Sequence, residues 1–87
     1  MSDTEPTFVA IRYLARGLPE GHSARSLADV VVAKTQHGWR VGDDAGWVGP
    51  GGERVSEPVT MDLDTAREAA LAEAKTLATA VLAVHPR

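Results

Sequence analysis

The chain has 87 residues, a net charge of −3, few aromatic side chains and no cysteine. That length suits one domain with one modest core. The missing thiols exclude disulfides, thiolate metal sites and cysteine nucleophiles, and no stretch reaches the roughly 18 apolar residues of a membrane-spanning helix.

Residues 1–6, from Met1 to Pro6, are acidic and polar, and are expected to be disordered. They do not read as a signal peptide, so the cytoplasm is the expected compartment. Residues 7–87 are expected to form one small α+β domain. The segment 7–16 supports two readings. As a strand it turns Val9, Ile11 and Tyr13 one way, and Phe8, Ala10, Arg12 and Leu14 the other. As a helix it has Pro6 near its first position, Gly17 as C-cap and Pro19 beyond. The strand is preferred. Residues 18–25 read as a loop.

Residues 27–34 contain Val30-Val31-Val32, and β-branched side chains favour a strand. A helix over 23–37 is the competing reading. His37-Gly38 then fits a two-residue hairpin turn with φ > 0 at the glycine. Trp39 and Val41 alternate with Arg40 and Gly42, as a half-buried strand should. After Trp47-Val48, Gly49-Pro50-Gly51-Gly52 reads as a turn, with proline presetting φ at its second position and Gly51 accepting φ > 0 at its third. Residues 53–61 read as a strand with Val55, Val59 and Met61 on one face. Pro58 cannot donate to a ladder, so this strand is an edge or carries a bulge.

The clearest element is the last. Residues 62–85 read as one amphipathic helix, opened by a Thr65-x-x-Glu68 capping box or by Asp64 as cap. Leu63, Ala66, Ala70, Ala74, Leu77, Ala78 and Val81 share one face, and Leu71, Leu82 and Val84 widen it. Glu68, Lys75, Thr76 and Thr79 lie opposite. The alanines allow close approach to a flat surface, so the helix is expected to lie across a sheet of three or four antiparallel strands, with Leu77 and Val81 buried.

The order of hairpin, third strand and long C-terminal helix over residues 27–85 resembles the double-stranded-RNA-binding fold and the related HicB-type antitoxin domain. The RNA-binding family begins that helix with a lysine cluster. Here the matching stretch, Asp62-Leu63-Asp64-Thr65-Ala66-Arg67-Glu68, is acidic. The resemblance therefore implies the fold and not the RNA function.

No constellation of catalytic residues stands out. His22, His37 and His85 lack metal-ligand spacing. Asp43-Asp44 reads as an acidic turn rather than a cation loop. His22, Ser23, Ser26 and Asp29 show no triad geometry. The glycines of 46–52 match no phosphate loop. No enzyme activity, cofactor or metal is expected. Trp39, Arg40 and Trp47 are the candidate partner-binding residues, because tryptophan and arginine are enriched among binding hot spots.

The leading expectation is a small non-catalytic protein-binding module, an adaptor, inhibitor or antitoxin-like partner. It is expected to associate through a sheet edge, that of the N-terminal strand if it forms rather than the Pro58-interrupted C-terminal one, as a homodimer or with a different protein partner. The alternative is a nucleic-acid-binding regulator. Residues 1–42 carry five basic and four acidic groups, and residues 43–87 carry four basic and eight acidic groups. The alternative thus rests on Arg12, Arg16, Arg25, Lys34 and Arg40. It requires them to converge on one face.

Overall fold

The computed structural model describes residues 11–86. The expected disorder of residues 1–6 and the strand assignment of residues 7–10 lie outside them. The chain forms β1 (Arg12–Arg16), a short 3-10 turn (Arg25–Ala28), β2 (Asp29–Thr35), β3 (Gly38–Asp43), β4 (Gly46–Val48), β5 (Arg54–Val55) and α1 (Leu63–Val84). The architecture is α+β, as expected. The sheet is an antiparallel meander in the order β1-β2-β3-β4-β5, so it has five strands rather than three or four.

Alternation along the strands divides the side chains between two faces. Tyr13, Val32, Val41 and Val48 follow one another across the sheet, and the three valines are at most 2 % exposed. Val30 joins them. Against this valine surface lies α1, through Ala66, Ala69, Ala70 and Ala74. The valine run is therefore a strand, and the helix reading of 23–37 is excluded.

Methyl-sized side chains let α1 lie close to the sheet. Gly17 shows how close: a Cβ there would sit 2.2 Å from the Ala74 carbonyl oxygen. A smaller cluster of Leu18, Ala28 and Ala78 pins the β1–β2 connection to the C-terminal half of the helix. His22 strengthens this closure. Its Nδ1 accepts from the Ala24 N–H at 3.0 Å, and its Nε2 lies 2.9 Å from the His85 carbonyl oxygen, to which it donates.

The helix face differs in detail from the expected one. Leu77 and Val81 are half-buried at its margin. Leu71, Leu82 and Val84 are exposed, whereas Ala69 and Glu73 are buried. The buried stripe follows the alanines because the flat sheet admits only one narrow line of contact. The cap is Asp62, one residue before the helix, and its Oδ1 accepts from the Thr65 N–H at 2.8 Å. This bond holds the Asp62 carboxyl below its usual range. Neither Thr65 nor Asp64 takes that role. Met61 is already tied to β3 by a two-way backbone bridge to Trp39, which forces the strand-to-helix change at Asp62.

The turns obey the local chemistry with a shift of one residue. Thr35 pairs with Gly38, so the β2–β3 loop is Gln36-His37. Thr35 Oγ1 accepts from the His37 N–H, and Gly38 opens β3 with φ +147. The β3–β4 turn repeats the device: Asp43 Oδ1 accepts from the N–H groups of Ala45 and Gly46, and Gly46 has φ +144. A polar first residue and a final glycine thus make both loops two residues long. In the β4–β5 turn the Gly52 N–H reaches the Gly49 carbonyl, and the positive φ falls on Gly52 rather than Gly51.

The strand expected over 53–61 is also revised. Only Arg54–Val55 pair with β4. Pro58 lies beyond that short pairing, and Met61 rejoins the sheet beside Trp39 on the helix-covered side. Val55, opposite Trp47, faces the other way.

Gly38 supports the strand-to-helix junction as well as the hairpin, since a Cβ there would meet the Met61 carbonyl oxygen at 2.9 Å. Gly38→Val is expected to lower unfolding free energy in denaturant by about 1–3 kcal/mol from backbone strain alone. A loss below about 0.5 kcal/mol would show that neither the conformation nor the close approach constrains this position.

Candidate functional site

Because α1 covers one face of the sheet, the face presented by the other set of side chains is left open. The register lays Leu14, Val31, Gly42, Trp47 and Val55 in one row across all five strands. A second row runs Arg12, Ala33, Arg40, and a third begins Arg16, Asp29. An apolar lane therefore crosses the open face between flanking arginines. The central strands form the floor of a shallow concavity of about 630 Å3.

Trp47 dominates this face. Its ring packs over Gly42, where a Cβ would lie 2.9 Å from Trp47 Cε3. The glycine leaves room for the indole to lie flat on the sheet, a cross-strand pairing in which an aromatic ring covers exposed backbone. The guanidinium of Arg40 sits 4.9 Å from the Trp47 ring centroid, within range of a cation–π contact. That contact aligns a long, otherwise free side chain and keeps its charge available to a ligand.

Trp39 does not belong to this group. It faces α1, packs at the margin of the valine–alanine core, and has Tyr13 at 5.5 Å between ring centroids and Lys34 Nζ at 5.4 Å. The structure thus joins Arg40 with Trp47 and puts Trp39 on the opposite face. Successive residues of a strand point to opposite sides, so Trp39 and Arg40 could not both have joined the same face.

The five basic residues divide in the same way. Arg12, Arg16 and Arg40 share the open face. Lys34 lies over Trp39 on the helix side, and Arg25 bonds to the Glu20 carbonyl. Asp29 is the one carboxylate set among the three arginines in the strand register, with Arg16 Nε 3.8 Å from its Oδ1. That oxygen is buried and accepts no hydrogen bond among the described residues. Asp43 and Asp44 also line the concavity, so charges of both signs border the open face, with the arginines on the β1 and β3 strands.

A second polar cluster was not visible in the sequence. Arg54 on β5 donates to Asp43 Oδ1 at 2.8 Å and Oδ2 at 3.1 Å, and also to Glu73 Oε2 on α1. It joins the edge of the sheet, the β3–β4 turn and the middle of the helix. Burial acts to raise the Asp43 carboxyl, but Arg54 and the N–H groups of Ala45 and Gly46 together outweigh it, and the carboxyl stays below its usual range. Glu73 moves the other way: burial raises it, the Asp43 charge adds to this, and Arg54 opposes. This is a structural tie, since Arg54 neutralises two carboxylates that would otherwise repel. No group of three or more His, Cys, Asp or Glu residues suited to a metal exists among the described residues. No described helix is long and apolar enough to cross a membrane.

Comparisons with protein-family models, with curated proteins and with solved structures find no match to this chain. Residues 27–85 place four strands, β2 to β5, before α1, one more than the hairpin and third strand on which the resemblance to the double-stranded-RNA-binding and HicB-type folds rests.

The Arg54 cluster sets a pH dependence. A carboxyl lowered on folding adds stability that is present above its unfolded value, near 3.8 for Asp43, and is lost as pH falls through its folded value. Glu73, raised on folding, has the opposite sign: stability declines as pH rises from its unfolded value, near 4.5, through its folded one. Asp43→Asn is expected to cost about 1.5–3 kcal/mol at pH 7, the worth of hydrogen bonds to a charged group, and to flatten the acid limb of the stability curve. Glu73→Gln should cost less, because it removes the unfavourably ionised member. Denaturant unfolding between pH 3 and pH 7 checks both; equal losses for the two variants at pH 7 would contradict this account.

Proposed function

We propose that this chain is a small protein-binding module, without chemistry of its own, that takes its partner on the open face of the sheet. The observation that carries this reading is the apolar lane through Leu14, Val31 and Trp47, flanked by Arg12, Arg16 and Arg40. Leu14 is 48 % exposed in the isolated chain, and Trp47 is held flat beside an aligned guanidinium. A tryptophan and an arginine at the centre of such a surface have the character of binding anchors. Antiparallel sheets often keep one polar, solvated face. Here that face has an apolar centre, which suits a partner that covers it.

One feature favours a nucleic acid as the second reading. An aromatic ring beside arginines on an open antiparallel sheet can stack an unpaired base. Two things weigh against it. Only three of the five basic residues share the face, and Asp29 stands next to one of them. Phosphate contacts supply most of nucleic-acid affinity, and this footprint offers few.

Affinity capture from the source lysate with wild-type and Arg40→Glu baits separates these readings. The module reading expects one or more proteins enriched by the wild type and lost with the variant, whose cooperative thermal unfolding should be retained with at most a small shift, since Arg40 is exposed and loses only its contact with Trp47. Trp47→Ala should give the same loss. Recovery of the same proteins by both baits would remove the open face as the site. Recovery of nucleic acid whose binding weakens steeply with salt would favour the second reading instead.

A further inference from the structure

We infer that the free edge of β1, with the groove between β1 and α1, takes an extended segment of a partner protein. That segment carries acidic residues four positions apart and apolar residues between them. The inference rests on the reading of the chain as a protein-binding module and adds the place and chemistry of one contact.

Three observations meet at this edge. The first is unpaired backbone. Lys34 N–H donates to the Ile11 carbonyl and Gly17 N–H donates to the Ala28 carbonyl, so the odd-numbered residues of β1 bond inward to β2. By the alternation of an antiparallel pair, the N–H and C=O groups of Arg12, Leu14 and Arg16 point outward. Among the described residues β1 is the last strand on its side of the sheet, and none of them pairs with these groups. Such a row of groups is a template for another strand.

The second is apolar surface. Ile11, Tyr13, Leu14 and Leu71 are all more than 40 % exposed. Between β1 and α1, Tyr13, Ala15, Leu63, Ala70 and Leu71 line a groove of about 370 Å3. A strand added to β1 would point every second side chain into this groove and the others onto the open face.

The third is charge. Arg12 and Arg16 lie at the two ends of β1 on the open face, Arg16 with Asp29 of β2 at 3.8 Å, and Arg67 is at the groove. No carboxylate lines the groove, although the chain as a whole is acidic. Acidic residues directly opposite Arg12 and Arg16 would form two cross-strand ion pairs, with apolar side chains opposite Tyr13 and Ala15 entering the groove. A second copy of this chain fits less well. Two β1 strands paired about Leu14 would set Arg12 against Arg16 twice, and like charges directly opposite destabilise a pair. The arginines thus guard the edge against self-pairing and favour an acidic strand.

The test uses the full chain with two blocked peptides, Ser-Glu-Val-Leu-Val-Glu-Ser and Ser-Lys-Val-Leu-Val-Lys-Ser, followed by NMR at low ionic strength. The glutamate peptide should bind about tenfold more tightly, the size of two attractive cross-strand pairs replaced by two repulsive ones. It should slow hydrogen exchange at the amides of Arg12, Leu14 and Arg16. The double variant Arg12→Glu, Arg16→Glu should reverse the preference; both side chains are exposed, and its folding is checked by its own spectrum. Equal binding of the two peptides, or no binding of either, overturns the inference. Perturbation at Arg40 and Trp47 without protection in β1 also overturns it, while leaving the module reading in place. A concentration-dependent dimer that protects the same three amides gives the edge to a second copy and overturns it too.

Discussion

Everything in this fold depends on the close contact between an alanine stripe and a valine surface. Ala66, Ala69, Ala70 and Ala74 meet Val30, Val32, Val41 and Val48, and few large side chains enter the core. Each contact is small, so stability comes from fit rather than from the size of any one residue. The fit tolerates no added bulk where the backbones approach, as Gly17 beneath Ala74 shows. One helix has the width to cover only one face of the sheet. The open face, with Trp47 and the three arginines, is therefore a direct consequence of how the core is made.

The narrow core also explains the polar ties around its rim. The β5 strand is two residues long, too short to hold the sheet edge by its ladder alone. Arg54 compensates by fastening that edge to Asp43 and to Glu73 on the helix. At the other end, His22 reaches the His85 carbonyl and closes the helix terminus onto the β1–β2 connection. Between these ties, β1 lies at the edge of the sheet with its outward groups unpaired among the described residues, and Ile11, Tyr13, Leu14 and Leu71 are exposed there.

Much of this was legible in the sequence, for identifiable reasons. Val30-Val31-Val32 marked a central strand because branched side chains restrict the backbone locally. The alanine periodicity of residues 66–78 marked a helix and also its target, since only a flat partner accepts so small a stripe. Single-residue features were harder. Asp62, not Thr65 or Asp64, caps the helix because Met61 is anchored to Trp39 across the sheet, a tertiary constraint absent from local pattern. The strand after Gly52 is cut short because the chain must leave β4 to reach the helix side. Arg54, Asp43 and Glu73 are far apart in sequence, and no spacing connects them. For the candidate site, alternation along β3 already separated Trp39 from Arg40. The pairing of Trp47 with Arg40 depended on the β3–β4 register, which local pattern does not give.

The central claim is that the helix covers the Val30, Val32, Val41 and Val48 face and leaves the Leu14, Val31 and Trp47 face open. A strand slipped by one residue would exchange the two sets. Methyl-to-methyl nuclear Overhauser contacts test this most directly. The account predicts contacts from the methyls of Ala66, Ala70 and Ala74 to those of Val30, Val32, Val41 and Val48, with none to Leu14 or Val31. Contacts from the helix alanines to Leu14 or Val31 would contradict it, and with it the identity of the binding face.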